Sequence, residues 1–447
     1  MAKDNSNNNI RVRIAPSPTG KFHIGTARSA LFNFLFARHN NGKFILRFED
    51  TDKNRNTKES ETDITEGLKW LGLEYDEGPF YQTERQDLYN EYIDQLIKED
   101  KAYKKDGAIW FRINQQPSTV NHQLIKFKDL IHGDLEFNSQ EFNDFVIIKS
   151  DGIPTFMFSN TVDDHEMKIS HVIRGDEHLN NAPQQILIYQ SLGWEPPQFA
   201  HIPLILNKDR TKMSKRKNPV SVTEDFRDKG YFAEAMLNYI VLLGWSPKSE
   251  KEFFTLDELI KEFELGKVNK AGAIFDTERL DYFNAHYLHQ LSDKELFKKL
   301  ITFNSQLSTI DKEHLEKIIQ VEKNRMIKLS DFPALDSYFF KEPDLNKDII
   351  VFKKSILENT KKGLSLIADR LSQIAPPKWE KIEDLNQILQ DIVKSNNLSN
   401  GDVFWPVRVA LSGQEKSPSP TELMWILGKD ESIERINFVL NKLGGKK

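Results

Sequence analysis

The chain has 447 residues, 38% hydrophobic and 29% charged, with a net charge of −5 at neutral pH and no cysteine. That length calls for about two to four domains with sizeable cores, and the missing thiols exclude disulfides, a thiolate nucleophile and cysteine-ligated zinc. The mild acidity neither marks nor excludes a nucleic-acid binder, because phosphate contacts depend on local basic patches.

The opening "MAKDNSNNN" lacks the apolar core of a signal peptide, and no apolar run reaches membrane length. A cytoplasmic chain with a frayed start and no membrane contact is expected. Residues 10–15, "IRVRIA", alternate apolar and polar as a strand does. The loop "PSPTGKFHIGT" follows, and apolar positions 24, 27, 31, 34 and 35 then recur at helical spacing. "KFILRFEDTD" reads as the next strand, ending in acids at Glu49 and Asp50. Strand, helix, strand implies a parallel pair.

Residues about 81–170 are mixed, with "AIWFRI" and "DFVIIKSDGIPTF" strand-like, and are expected to form an α+β insertion. A second unit resumes with "HVIRGDEH" (171–178), the helix "NNAPQQILIYQSLGW" and the strand "QFAHIPLIL" (198–206). The polar ends of these strands should gather at one sheet edge, where ligands of open α/β sheets bind. "TLDELIKEF" carries a capping box at Thr255 and Glu258. From about residue 296 the pattern is helical throughout. Leu385, Ile388, Leu389 and Ile392 share a face, and "SPTELMWILG" runs from cap Ser419 to stop Gly428.

Two segments carry chemistry. The first loop offers backbone N–H groups and a helix N-terminus suited to phosphate, though a proline-stiffened turn with His23 as a surface cap would read the same way. It is neither a Walker A loop nor a GxGxxG turn. "KDRTKMSKRK", Lys208 to Lys217, holds six basic residues and one acid and could neutralise a departing pyrophosphate; isolated basic clusters are more often solvated loops. "TVDDHEMKISH" invites a metal reading through Asp163, Asp164, His165 and His171, but such a set needs convergence in space, and pocket scaffold is the expectation.

Taken together, "HIGT" (23–26) and "KMSKR" (212–216) resemble the HIGH and KMSKS elements of class I aminoacyl-tRNA synthetases. With "RIAPSPTG", "RFEDTD", "SNTVDDHEMKISHVIRGDEH" and "FWPVRVALSG", the chain from Arg11 to about Leu443 is similar to bacterial-type glutamyl-tRNA synthetases. That resemblance implies activation of L-glutamate by ATP, with Mg2+ and without zinc, then transfer to the 3′ end of tRNA(Glu), by a monomer. It implies His23 and Lys215 as catalytic groups. ATP would meet Ala15, Pro16, Ser17, His23, Gly25, Glu177, Lys212, Ser214, Lys215 and Arg216. For glutamate it implies Arg13 on the side-chain carboxylate, Arg174 on the α-carboxylate, Glu49 and Ser17 on the ammonium, and contacts from Phe156 and Asn160. Arg325 would read the anticodon.

The sequence departs from the family pattern in three places. Thr26 replaces the final His, Phe156 stands where many relatives carry tyrosine, and the stretch from Tyr103 to Asp144 is shorter, with no cysteines for a zinc site.

The expected architecture is a Rossmann-like parallel-sheet catalytic domain (1–80 and 171–219) with an acceptor-stem-binding α+β insertion (81–170). A helical connector (220–295) and an all-α anticodon-binding domain (296–447) follow. The alternatives are a glutaminyl or non-discriminating enzyme and, from another class, a small-molecule adenylyltransferase. A glutaminyl enzyme usually reads Pro-Glu-Pro in the first loop and ends in β-barrels, and an adenylyltransferase would not need the helical third.

Overall fold

The computed structural model describes residues 10–113, 124–138, 142–213, 220–335, 337–345, 347–374 and 379–444. β1 (Arg11–Ile14) leads through the proline loop into α1 (Ile24–His39), and β2 (Lys43–Phe48) returns parallel to β1, with Arg11 opposite Lys43 and Ile14 opposite Leu46. All five periodic apolar positions of α1 are buried, and so are Ala30, Phe32 and Ala37. The helix is covered on nearly every side rather than along one stripe, because further helices pack on the side away from the sheet.

After α2 (Lys58–Trp70), a third strand, β3 (Glu77–Tyr81), pairs parallel with β2. Pro79 in its middle hides it from periodicity, since proline is confined to strand edges and irregular positions. The register shifts between Ile45 and Arg47 at this point.

The insertion region divides into two structures. α3 (Gln86–Lys98) is followed by β4 (Ala102–Lys105) and β5 (Ala108–Phe111). Next come the hairpin strands β6 (Leu124–Asp129) and β7 (Gly133–Asn138), then β8 (Phe145–Ile148) and α4 (Phe156–Glu166). β4, β5 and β8 form their own antiparallel sheet, whose inner face shares a core with Tyr89, Phe158 and Ile188.

β6 and β7 do something else. After β9 (His171–Gly175) and α5 (Ala182–Ser191), β10 (Gln198–Ile202) lies parallel to β9 on one side and to β6 on the other, in the order β7-β6-β10-β9. Part of the expected insertion therefore extends the parallel sheet. Ser170 N donates to Arg11 O at 2.9 Å and Arg11 N to Ser170 Oγ at 2.9 Å, fastening the start of β9 to the start of β1.

The single strand expected over 198–206 is two. Pro203 interrupts it, and β11 (Ile205–Leu206) pairs with β12 (Ala273–Ile274) in a separate ribbon. Between β11 and β12 lie α6 (Ala233–Leu242) and α7 (Leu256–Glu262), the latter with both capping-box bonds at Thr255 and Glu258.

α8 (Thr277–Gln290) spans the division between two compact units, residues 1–284 and 285–447. The boundary expected at 295/296 falls instead inside α9 (Asp293–Phe303), whose first turn is closed by a capping box from Ser292 to Glu295. The second unit continues with α10 (Lys312–Glu322), α11 (Leu357–Ser372), α12 (Ile382–Ser395), α13 (Asn400–Ser412), α14 (Pro420–Leu427) and α15 (Lys429–Gly444). No strand occurs among its described residues. Leu385, Ile388, Leu389 and Ile392 are buried, and Ser419 caps α14 through Glu422.

Candidate active site

A cavity of about 420 Å³ opens where β1, β2 and β9 end and α1 begins. Its wall includes Arg13, Ala15, Pro16, Ser17, Gly25, Glu49, Phe156, Asn160, Arg174 and Glu177 from the sequence expectation, joined by Thr26, Ser29 and His178. A second space of about 230 Å³, lined by Thr19, Gly20 and Lys21, shares Pro16, Ser17 and Thr26 with it.

His23 stands outside the cavity wall and is the N-cap of α1. Its Nδ1 accepts from Gly25 N at 3.0 Å, a role the sequence reading held open. A Cβ on Gly25 would stand 3.3 Å from that ring nitrogen, so glycine keeps both cap and cavity clear. The neighbours of His23 are tied to the segment after the basic motif: Ile24 N donates to Val220 O, and Val222 N donates to Phe22 O. The start of α1 is thus fastened to the segment that begins at Val220. Lys212 is exposed beside Leu206, while Ser214, Lys215 and Arg216 lie outside the described residues.

The polar wall is organised by buried ions. Arg13 donates from Nε and Nη2 to the two oxygens of Asp164, each at 3.0 Å. Asp164 Oδ1 also accepts from Arg47 Nη1 at 2.8 Å. Arg47, fully buried in β2, stands 3.6 Å from Asp163 and 3.7 Å from Glu49. Burial alone would lower the Arg47 pKa, but Asp164, Asp163 and Glu49 together hold it above its ordinary value. Burial would also raise Asp164, yet Arg13 and Arg47 hold its carboxyl below the usual range.

Asp163 accepts from Gln82, Arg85 and Tyr89 at 2.8, 2.7 and 3.0 Å. The two aspartates are therefore arginine anchors. His165 stacks on Trp194 at 3.7 Å and His171 bonds Ser170. Among the described residues, no group of three or more His, Cys, Asp or Glu side chains could hold a metal ion.

Glu49 faces the cavity with Asn160 Nδ2 donating to it at 2.6 Å. Gln185 Nε2 donates in turn to Asn160 Oδ1 at 3.1 Å, which fixes the Asn160 amide with its N–H toward Glu49. Burial raises the Glu49 pKa, against Arg47 and the Asn160 bond. A ligand cation reaching Glu49 would relieve that desolvation.

Arg174 contrasts with Arg13. It is buried, and Nε donates to His201 Nε2 at 3.1 Å while Nη2 donates to the His178 carbonyl at 3.2 Å. Nη1 is buried without a partner, and no carboxylate bonds this side chain among the described residues. Burial and then Arg13 lower its pKa to about 9. His178 stacks on Phe156 at 5.2 Å, and burial followed by Arg174 lowers its pKa to about 4, so it stays neutral. The cavity thus presents two guanidinium groups and, apart from them, the Glu49 and Glu177 carboxylates.

In the second unit, Arg325 sits in a short 3-10 turn after α10. Its Nε is 3.2 Å from Glu322 Oε2.

Sequence reasoning missed Arg47, Asp129, Gln185 and His201 as parts of the site. Arg47 had a signal, a charge set among the apolar residues of "FILRF"; Asp129 had none.

Two families match the chain. The one described as tRNA synthetases class I (E and Q), catalytic domain, matches residues 9–109 and 111–282, and an anticodon binding domain matches residues 285–440. Glutamate–tRNA ligase 2 of Thermoanaerobacter pseudethanolicus is 40% identical, covering 97% of this chain and 98% of that one. Glutamate–tRNA ligase of Thermodesulfovibrio yellowstonii is 40% identical over 97% and 99%. The crystal structure of a glutamate tRNA ligase from Elizabethkingia meningosepticum in complex with its amino acid matches with a TM-score of 0.86. Identity there is 32%, over 98% of this chain and 100% of that one.

Proposed function

The chain belongs to the glutamate-and-glutamine group of class I tRNA synthetases and acts as a glutamate–tRNA ligase, and from that premise we propose that the 420 Å³ cavity seats the amino acid and ATP together. One glutamate carboxylate meets Arg174, the other meets the free edge of Arg13, and the ammonium meets Glu49. What carries this reading is Arg174, a buried cation with no protein anion bonded to it among the described residues. Such a charge is costly until a ligand carboxylate pairs with it, whereas Asp164 already neutralises much of Arg13.

In the reaction, a glutamate α-carboxylate oxygen attacks the α-phosphorus of ATP as the bond to pyrophosphate breaks. A ribose hydroxyl of the tRNA 3′ end then attacks the adenylate carbonyl and releases AMP. No side chain becomes covalently bonded, so the protein contributes positioning and charge stabilisation. Ala15 to Gly25 would line the ATP side, with His23 holding the start of α1 toward the phosphates. Lys215 would meet the departing pyrophosphate on the strength of the motif alone.

Mg2+ fits as an ion carried by the ATP phosphates, since the described carboxylates form no three-ligand cage. It would supply charge neutralisation there. Arg325 stays the candidate anticodon reader, in a helical part that begins near residue 285, and the monomeric state and cytoplasmic setting expected from the sequence complete the proposal. No helix among the described residues is long and apolar enough to cross a membrane.

The test is amino-acid-dependent ATP–pyrophosphate exchange, with and without tRNA. Glutamate should exceed glutamine by roughly 10³-fold or more in kcat/KM, because an amide cannot satisfy a buried guanidinium as a carboxylate does. Equal use of glutamine would reject the two-arginine reading.

A further inference from the structure

Arg174 needs to be held in place, yet an anion holding it would compete with the ligand for its charge. Its holder is a neutral ring. Arg174 on β9 and His201 on β10 are direct register partners, and Arg174 Nε donates to His201 Nε2 at 3.1 Å. The guanidinium also lies over the Phe199 ring, 5.5 Å from its centre.

His201 can accept at Nε2 only if its proton is on Nδ1, and Asp129 enforces that state. Asp129 Oδ2 lies 2.7 Å from His201 Nδ1 and accepts from His201 N at 3.1 Å, while Oδ1 accepts from Ile131 N and His132 N, each at 2.9 Å. Burial alone would raise the Asp129 pKa, but His201 and these backbone amides hold it below its ordinary value. An ionised carboxylate only accepts, so the imidazole must donate from Nδ1. Burial lowers the His201 pKa, and Arg174 adds to that against the Asp129 bond.

We propose that Asp129 and His201 are positioning residues for Arg174: Asp129 fixes the tautomer of His201, and His201 aims the guanidinium at the glutamate carboxylate without neutralising it. Asp129 comes from β6, the insertion strand that joins the sheet opposite Phe199. The insertion thereby supplies part of the amino-acid site. The proposal rests on the reading of Arg174 as a carboxylate ligand.

Four variants test it by pyrophosphate exchange with tRNA present, reading KM for glutamate and for ATP, with thermal unfolding to verify folding. Arg174→Gln is expected to raise the glutamate KM about 100-fold, and His201→Leu and Asp129→Asn about 10-fold, with the ATP KM unchanged. Asp129→Asn turns an N–H toward His201 and forces the wrong tautomer. His201→Gln restores an acceptor near the Nε2 position and should recover most of the loss.

If Arg174→Gln leaves the glutamate KM unchanged, the carboxylate-ligand reading falls and the positioning role with it. If Arg174→Gln acts and neither Asp129→Asn nor His201→Leu does, the positioning role alone is overturned. It is also overturned if both KM values rise together or if His201→Gln rescues nothing. Should His201→Leu fail to fold, Asp129→Asn decides by the same criteria.

Discussion

Arg13 and Arg174 face one cavity, the first held by the Asp164 carboxylate and the second by a neutral imidazole. A guanidinium has five N–H donors in a plane, so Arg13 can bond Asp164 along its Nε–Nη2 edge and still offer Nη1 and Nη2 to a ligand. A lysine cannot do both. Arg13→Lys should therefore raise the glutamate KM by about 10- to 100-fold while leaving the ATP KM within about twofold. Parallel increases in both would mean that Arg13 only braces the strand ends. At this scale the cavity-lining residues were legible: Arg13, Glu49, Asn160 and Arg174 sit in recognisable short stretches, and all four line the cavity. Their holders were not. Arg13 and Asp164 are 151 positions apart, and Asp129 and His201 are 72 apart. Pairing across such distances leaves no local pattern.

Elements were legible where their determinants are local. The capping box at Thr255 and the cap at Ser419 each depend on four consecutive residues, and both form as read. β3 and the break at Pro203 were hidden because a proline's effect depends on which neighbour the strand meets. The same holds for helix crossings, and Gly363 in α11 gives a test. A Cβ there would sit 2.2 Å from the Asp402 carbonyl oxygen, in the first turn of α13. In an open helix, replacing glycine by alanine gains about 1 kcal/mol. At this crossing the backbones must separate instead, and overpacking costs about 1–3 kcal/mol. Gly363→Ala should thus lower the midpoint of thermal or urea unfolding. A raised midpoint would show that the crossing has room for a methyl group.

Across the whole molecule, the shift from strand-bearing to purely helical pattern revealed a two-part chain, but not where the parts divide. The pattern placed the change near residue 295, and the compact units part at 284/285, because the division falls within a single helix, α8, where the periodicity does not change. A division of labour between these units can be tested at Arg325. Its side chain is 45% exposed, while that of its partner Glu322 is 9% exposed. Burial raises the Glu322 pKa against the effect of Arg325, and Glu322 Oε1 has no hydrogen-bond partner among the described residues. The arginine therefore steadies a buried carboxylate and still presents donors to solvent. Arg325→Gln keeps one donor for Glu322 and removes the charged fork. Glutamate activation, carried by residues of the first unit, should keep its KM values. The ratio of kcat/KM between tRNA(Glu) and tRNA(Gln) should narrow, because a base-edge contact discriminates by about 1–3 kcal/mol. A phosphate contact behaves differently: both tRNAs would weaken equally, and the dependence of binding on salt would become shallower. An unchanged ratio with unchanged binding would leave Arg325 only its tie to Glu322, visible then as a lower unfolding midpoint and nothing else.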